Sequence, residues 1–268
     1  MREMNMAKQD RRERRAPPGG WNAVADWYDG WMGTDGSDHH RNVAIPAVLA
    51  LAAIQPGDQV LDIGAGQGVL APVVAEAGAV YTGVDVSERL LQIARKRHGH
   101  QGRFIQGDAR RLSALPGLEA GTFDKAIFLL SIQDMHPLLP VLRSAAWALR
   151  DGGRLVILMT HPCFRIPRQS GWNWDGERKI RSRRIDRYLT PLSVPMKQYS
   201  GSARGTTTSF HRPLEQYVND LAACGLLIDS MQEIPTYKVQ ESEAENRANR
   251  EIPLFLGLRA RKVRNSEG

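Results

Sequence analysis

Apolar residues along this chain fall into short continuous blocks, separated by glycine-rich turns and by stretches with helical spacing. Val60, Leu61 and Ile63 form the first block and run straight into Gly64, Gly66 and Gly68. A helix-compatible stretch, Val69 to Glu76, comes next. The second block, Ala79 to Ser87, ends in Asp85; Ser87 is placed to N-cap a helix over Glu88 to Arg97, and Gly99 to stop it. A third strand is expected over Arg103 to Gln106. Phe123 to Met135 is a nearly unbroken apolar run, the pattern of a strand buried on both faces of a parallel sheet. A helix over about Leu138 to Leu149, a tight turn at Asp151-Gly152-Gly153 and a strand over Arg154 to Met159 follow. Further on, Pro213 opens a helix that Gly225 closes, and Leu226 to Ile234 and Pro253 to Ala260 read as two more strands. Pro235 to Glu251, between those strands, is polar and reads as a solvated loop.

Strands alternating with helices predict an α/β domain with a parallel sheet. The first strand-to-helix turn then becomes a ligand site. Its glycines let the backbone turn sharply and let a ligand come close, and the free N–H groups of the next helix face that ligand. The turn reads G-x-G-x-G, with Val69 where the dinucleotide fingerprint has its last glycine. Asp62, two residues before Gly64, would repel a pyrophosphate and suits a ligand carrying a cation and hydroxyls. Asp85 lies 17 residues after Gly68, about the spacing at which an acid reaches a ribose diol.

Taken together, VLDIGAGQG (Val60–Gly68), GVDVS (Gly83–Ser87), QGDA (Gln106–Ala109) and LRDGGRLVIL (Leu149–Leu158) resemble motifs of the class I S-adenosylmethionine-dependent methyltransferases. The resemblance is good over about Gln59 to Thr160 and looser towards the C-terminus. It implies a Rossmann-like, doubly wound, seven-stranded and mostly parallel sheet. Helices would cover both faces, an antiparallel last strand would close the sheet edge, and an insertion would cover the substrate. It implies S-adenosyl-L-methionine as cofactor. Asp62, Gly64, Ala65 and Gly66 would hold its methionine part. Asp85 and Val86 would meet the ribose, Asp108 the adenine amino group with Ala109 donating from its backbone. Phe128 and Leu129 would flank the sulfonium.

Composition narrows the class without naming a substrate. A chain of 268 residues suits one domain with a large core. The longest apolar run is Ala47 to Ile54, far short of the ~18 residues that span a bilayer, and the N-terminal residues are charged, so a cytoplasmic protein is expected. Two cysteines, Cys163 and Cys224, make neither a disulfide framework nor a structural zinc site, and no metal is expected. The net charge of +7 resides in two segments, +3 in residues 1–15 and +4 in residues 177–187. Residues 1–20 read as a disordered basic tail and 21–268 as one domain. Its core would be 58–160 and 211–262, with 21–57 and 161–210 as covers over the substrate.

Ten aromatic residues fall in those two covers, which suits a lid over an apolar or planar small molecule. Trp27, Tyr28, Arg165 and Trp172 are the substrate-binding candidates. In-line methyl transfer needs a base only when the acceptor loses a proton. By position after strand ends or at helix starts, His161, His136, Asp134 and His211 are candidate bases and Gln133 a further catalytic candidate, with Gln133, His161, His211, Trp27 and Tyr28 expected to converge on one cavity. The favoured reading is methylation of O, N or C on a small molecule. An RNA methyltransferase, an NAD(P)-dependent oxidoreductase and a non-catalytic cofactor-binding protein stay open as alternatives, and so does the oligomeric state.

Overall fold

The computed structural model describes residues 20–196 and 206–263; the tail expected over residues 1–20 lies outside them apart from Gly20. In chain order, α1 (Gly20–Met32), a π-helical turn (His40–Ala44) and α2 (Ile45–Ala52) lead into β1 (Gln59–Ile63), α3 (Ala71–Glu76), β2 (Val80–Asp85), α4 (Glu88–His98) and β3 (Gly102–Gln106). A 3-10 turn (Ala109–Ala114), β4 (Phe123–Leu129), a second 3-10 turn (Ile132–Asp134), α5 (Leu138–Ala148) and β5 (Leu149–Thr160) follow. Two hairpins come next, β6 (Ser170–Asp175) with β7 (Ile180–Ile185) and β8 (Leu192–Pro195) with β9 (Thr208–His211). The chain then forms α6 (Leu214–Ala223), β10 (Leu226–Ile234), α7 (Glu243–Glu251) and β11 (Phe255–Lys262).

Seven strands make one sheet in the order β10–β11–β5–β4–β1–β2–β3. β1 to β5 run parallel, and β11 is antiparallel to both β5 and β10. Helices pack on both faces, giving two cores. One is built on Leu61, Ile63 and Phe128 with α5 and α6, the other on Val60, Ile127 and Val156 with α2, α3 and α4. This is the expected Rossmann-like, doubly wound class. One detail differs. The last strand does not close the edge but lies between β5 and β10. Its Phe255, Leu256, Leu258 and Ala260 are buried, as an interior strand requires, whereas β10 exposes Leu227 and Met231 at the edge.

Three further expectations change. The stretch 235–251 is not all loop, because α7 forms there and buries Ala248 and Asn249. Its inward face is built on small and polar residues, so apolar periodicity did not mark it. The glycine turn at Asp151 is absorbed into β5, which pairs Phe123 with Leu149 and slips register before Lys125 meets Arg154. In the leader, α2 buries Ile45, Val48, Leu51 and Ala52 in the core, so only α1 is free to act as a cover. α1 is held to α4 by polar contacts. Asp29 accepts from both Arg97 guanidinium nitrogens at 2.5 and 2.9 Å, Arg89 Nε meets Asp26 at 2.9 Å, and Ser87 Oγ donates to Asn22 Oδ1 at 2.8 Å. Of the orderly stretches expected in the second cover, Arg183–Leu189 begins in β7 and Pro191–Tyr199 holds β8, its last three residues lying outside those described.

Candidate active site

β1 and β4 are neighbours from which the chain winds in opposite directions, and a crevice outside their carboxyl ends is where such sheets bind ligands. A cavity of about 380 Å³ occupies that place. Gly64 and Gly66 after β1, Asp85 and Val86 at the end of β2, Asp108 and Ala109 after β3, and Leu129, Ser131 and Asp134 after β4 line it. Trp21 and Tyr28 of α1 and Phe210 of β9 complete the wall.

Asp85 organises the loop. Its Oδ2 accepts from Gly66 N at 2.8 Å and its Oδ1 from Ser87 N at 2.8 Å. Burial raises its pKa, opposed by these N–H groups and that of Val86. Each carboxylate oxygen carries two lone pairs, so capacity remains for a diol. Gly64 has φ of +78°, and a β-carbon there would stand 2.5 Å from Ser131 Cβ and 2.8 Å from Met135 Cε. Gly64→Ala is therefore expected to lower stability by about 2–4 kcal/mol, from left-handed backbone strain plus overpacking, and to narrow the cavity. Denaturant unfolding beside ligand titration checks both, and wild-type values in each would count against this account.

A smaller cavity, sharing Tyr28, Gly64, Gly66 and Leu129 with the first, is lined also by Asp62, Ala65, Gln67 and His40. Asp62 Oδ2 accepts from Tyr81 OH at 2.8 Å, while its Oδ1 is buried with no partner. Gln67 donates through Nε2 to the carbonyl of Gly33, and its Oε1 is likewise buried and unpartnered. Burial pushes Asp62 up to about 7, and burial with the neighbouring His39 takes His40 down to about 4, leaving that imidazole neutral. Two buried acceptors without donors in one small cavity fit an ammonium group. The residues present thus suit the amino-acid end of the expected cofactor, and Asp85 suits its ribose. Gln67 was not singled out in the sequence; its only signal is a long polar side chain inside a loop of small residues.

The third acid is already engaged. Arg110 Nε lies 3.0 and 2.9 Å from the two oxygens of Asp108, and Nη2 lies 2.6 Å from Oδ2. Asp108 is also held below the usual carboxylate range; burial raises its pKa, but hydrogen bonds from Arg110 more than offset that. An adenine amino group meets Asp108 only by sharing it with Arg110 or displacing it.

Several expected residues are elsewhere. Phe128 is fully buried in the core and does not line the cavity, because alternate side chains of β4 enter opposite layers; Leu129 and Leu130 line it instead. His161 is buried outside the cavity. Its Nε2 donates to Glu233 Oε1 at 2.9 Å and its Nδ1 accepts from Cys163 N at 3.2 Å, so both nitrogens are used. His211 donates to the carbonyl of Tyr188 at 2.6 Å, and it is the preceding Phe210 that reaches the cavity. Gln133 donates to the carbonyl of Leu130 at 2.6 Å and lies outside the lining, as does Trp27, which stacks on Trp31 at 6.1 Å. Arg165 and Trp172 line a separate cavity. Of the four candidate bases, Asp134 and His136 line the first cavity and His161 and His211 do not. Burial pushes Asp134 up to about 8, with Arg212 opposing and Asp85 assisting. His136, the other candidate base that lines this cavity, stacks on Phe210 at 4.8 Å on the same wall.

Comparison with known proteins agrees with this architecture. The family described as a methyltransferase domain matches residues 61–157, the segment from β1 to β5 that carries the cavity. The demethylmenaquinone methyltransferase of Tropheryma whipplei is 35% identical over 121 residues, 43% of this chain and 48% of that protein. The ubiquinone biosynthesis O-methyltransferase of Idiomarina loihiensis is 32% identical over 99 residues, 37% of this chain and 41% of that protein. The chain thus spans about half the length of these curated relatives. A crystal structure of an S-adenosylmethionine-dependent methyltransferase from Mesorhizobium loti aligns with a TM-score of 0.63 at 28% identity, covering 81% of this chain and 96% of that one. The segment from β1 to β5 is thus similar to the methyltransferase-domain family, and the chain as a whole is similar in fold to a solved S-adenosylmethionine-dependent methyltransferase.

Proposed function

We propose that the protein binds S-adenosylmethionine in the cavity beside Gly64 and catalyses methyl transfer to O, N or C of a small molecule. The observation that carries the reading is the pair of unsatisfied buried acceptors, Asp62 Oδ1 and Gln67 Oε1, next to the glycine loop that Asp85 holds. An ammonium on one side and a diol on the other match those groups. When bound, the cofactor supplies an electrophilic methyl on a sulfonium, an already good leaving group.

The chain's own residues do the rest. Tyr28, Trp21 and Phe210 give the acceptor an apolar, water-poor wall that holds it in line. Asp134, ionised above about pH 8, takes the proton from an acceptor hydroxyl or amine. Relatives named for quinone biosynthesis make hydroxylated aromatic rings the first acceptors to try. No helix among the described residues is long and apolar enough to cross a membrane. A cytoplasmic location belongs to the same proposal.

The test is formation of S-adenosylhomocysteine by the full chain with panels of phenols, quinols and amines, alongside bulk RNA. Turnover on a small molecule supports the reading. Turnover on RNA alone would replace it with the RNA alternative, and tight NADH binding without binding of the methyl donor would remove methyl transfer altogether.

A further inference from the structure

A second cavity, of about 280 Å³, shares no lining residue with the first. Trp172 and Arg181 of the β6–β7 hairpin, Arg165 after β5, Lys238 after β10 and Glu245 of α7 line it. Chain connectivity explains the crowding of cations. The hairpin register sets Trp172 opposite Arg183, with Arg181 two residues along the same face. The guanidinium carbons of Arg165, Arg181 and Arg183 lie 5.1, 4.6 and 5.2 Å from the centre of the Trp172 ring.

Three guanidinium groups around one indole repel one another, and the ring's attraction for each offsets that only in part. Arg165 donates to the carbonyls of Pro253 and Ile252 at 3.2 and 3.4 Å. Arg183 donates to the carbonyl of Phe164 at 2.7 Å and to Ser170 Oγ at 2.8 Å. Among the described residues no carboxylate pairs with either. Arg181 alone has one, Glu245. Burial, then Arg183 and Arg181, brings the Arg165 guanidinium down to about 10. Half-buried positive charge without a counter-charge is unfavourable in a folded chain, and an oxyanion relieves it. Guanidinium forks match the paired oxygens of a phosphoryl group in a way that ammonium groups do not.

We propose that the second cavity is a receptor for a compact phosphate-class oxyanion, either free or carried as the phosphoryl group of a small molecule. The proposal stands apart from the methyl-transfer reading, since the two cavities have no residue in common.

Calorimetric titration of the full chain with pyrophosphate, inorganic phosphate and glycerol phosphate, at ionic strength matched with chloride, tests it. One saturable site per chain is expected. Arg165→Gln should weaken binding about tenfold or more, the loss of a charge-assisted pair. Glu245→Gln should tighten it about threefold, because the carboxylate that competes for Arg181 is gone; a merely structural role for these residues predicts no tightening. S-adenosylhomocysteine affinity should stay within about twofold in both variants, which also shows that they fold. Tighter binding of the ester than of free phosphate identifies a carried phosphoryl group, and the reverse a free ion. Heats no different from chloride overturn the proposal. So does RNA binding that exceeds every small phosphate and is lost when Arg181, Arg183 and Arg184 are neutralised, which would make this face a nucleic-acid track.

Discussion

Asp85→Ala is expected to remove methyl-donor binding almost entirely and to weaken the fold as well. The two losses share a cause. The carboxylate ties the N–H groups of Gly66 and Ser87 at 2.8 Å each, so it fixes the shape of the loop that must meet the cofactor. Alanine leaves those buried donors without partners, at about 1–3 kcal/mol apiece, and a net fall of about 2–4 kcal/mol in stability follows. The ribose then loses two hydrogen bonds to a charged group, at about 1.5–3 kcal/mol each, or roughly 100-fold in affinity at the least. Calorimetry with S-adenosylhomocysteine, beside urea unfolding, separates the terms. Asp85→Asn keeps one acceptor oxygen and should lose less stability than alanine while still binding poorly. Wild-type affinity in both variants would mean that the diol is held elsewhere.

Asp134→Asn should cost about 100- to 10,000-fold in turnover on an acceptor that must shed a proton, and leave donor binding near wild type. The pH profile carries the sharper expectation. With its pKa at about 8, Asp134 is mostly protonated at neutral pH, so wild-type kcat/KM rises as pH increases through that value. The asparagine variant loses this limb. Stability moves the other way. A carboxyl whose folded pKa lies above its unfolded value favours the folded state at pH below about 4, and that contribution is lost as pH rises through about 8. Asp134→Asn, uncharged throughout, should therefore gain on the wild type in thermal unfolding at pH 9 relative to pH 6. An unchanged pH–rate profile would leave catalysis to positioning alone.

Strand-end acids beside glycines could be read in the sequence because that relationship is local. Asp62, Gly64, Asp85 and Ala109 each sit within two residues of the strand or turn that positions them, and all four line the two joined cavities. Side chains whose direction depends on tertiary packing were harder. β4 is buried on both faces, so an apolar run alone does not say whether Phe128 or Leu129 turns to the ligand. His161 follows β5 as expected, but the imidazole turns to Glu233 on β10, 72 residues away. His211 was one residue off; the cavity receives Phe210. The second cavity joins Arg165, Trp172, Lys238 and Glu245 across two elements and two loops, and no local spacing encodes that meeting. α7 escaped for the opposite reason, since its buried side is alanine and asparagine in a charged sequence.

The place of β11 inside the sheet has a consequence for how the protein is made. During synthesis β1 to β5 and the hairpins emerge first, and β10 follows, yet β10 has no strand of its own to join. Until residues 255–262 leave the ribosome, the edge of β5 that β11 will cover, Arg154 to Thr160 with its apolar run Leu155–Met159, stays open to pairing with any other unfinished chain. The strand of this sheet that comes last in chain order is thus the one that both completes the sheet and covers β5, and a chain released before that point would carry this edge uncovered.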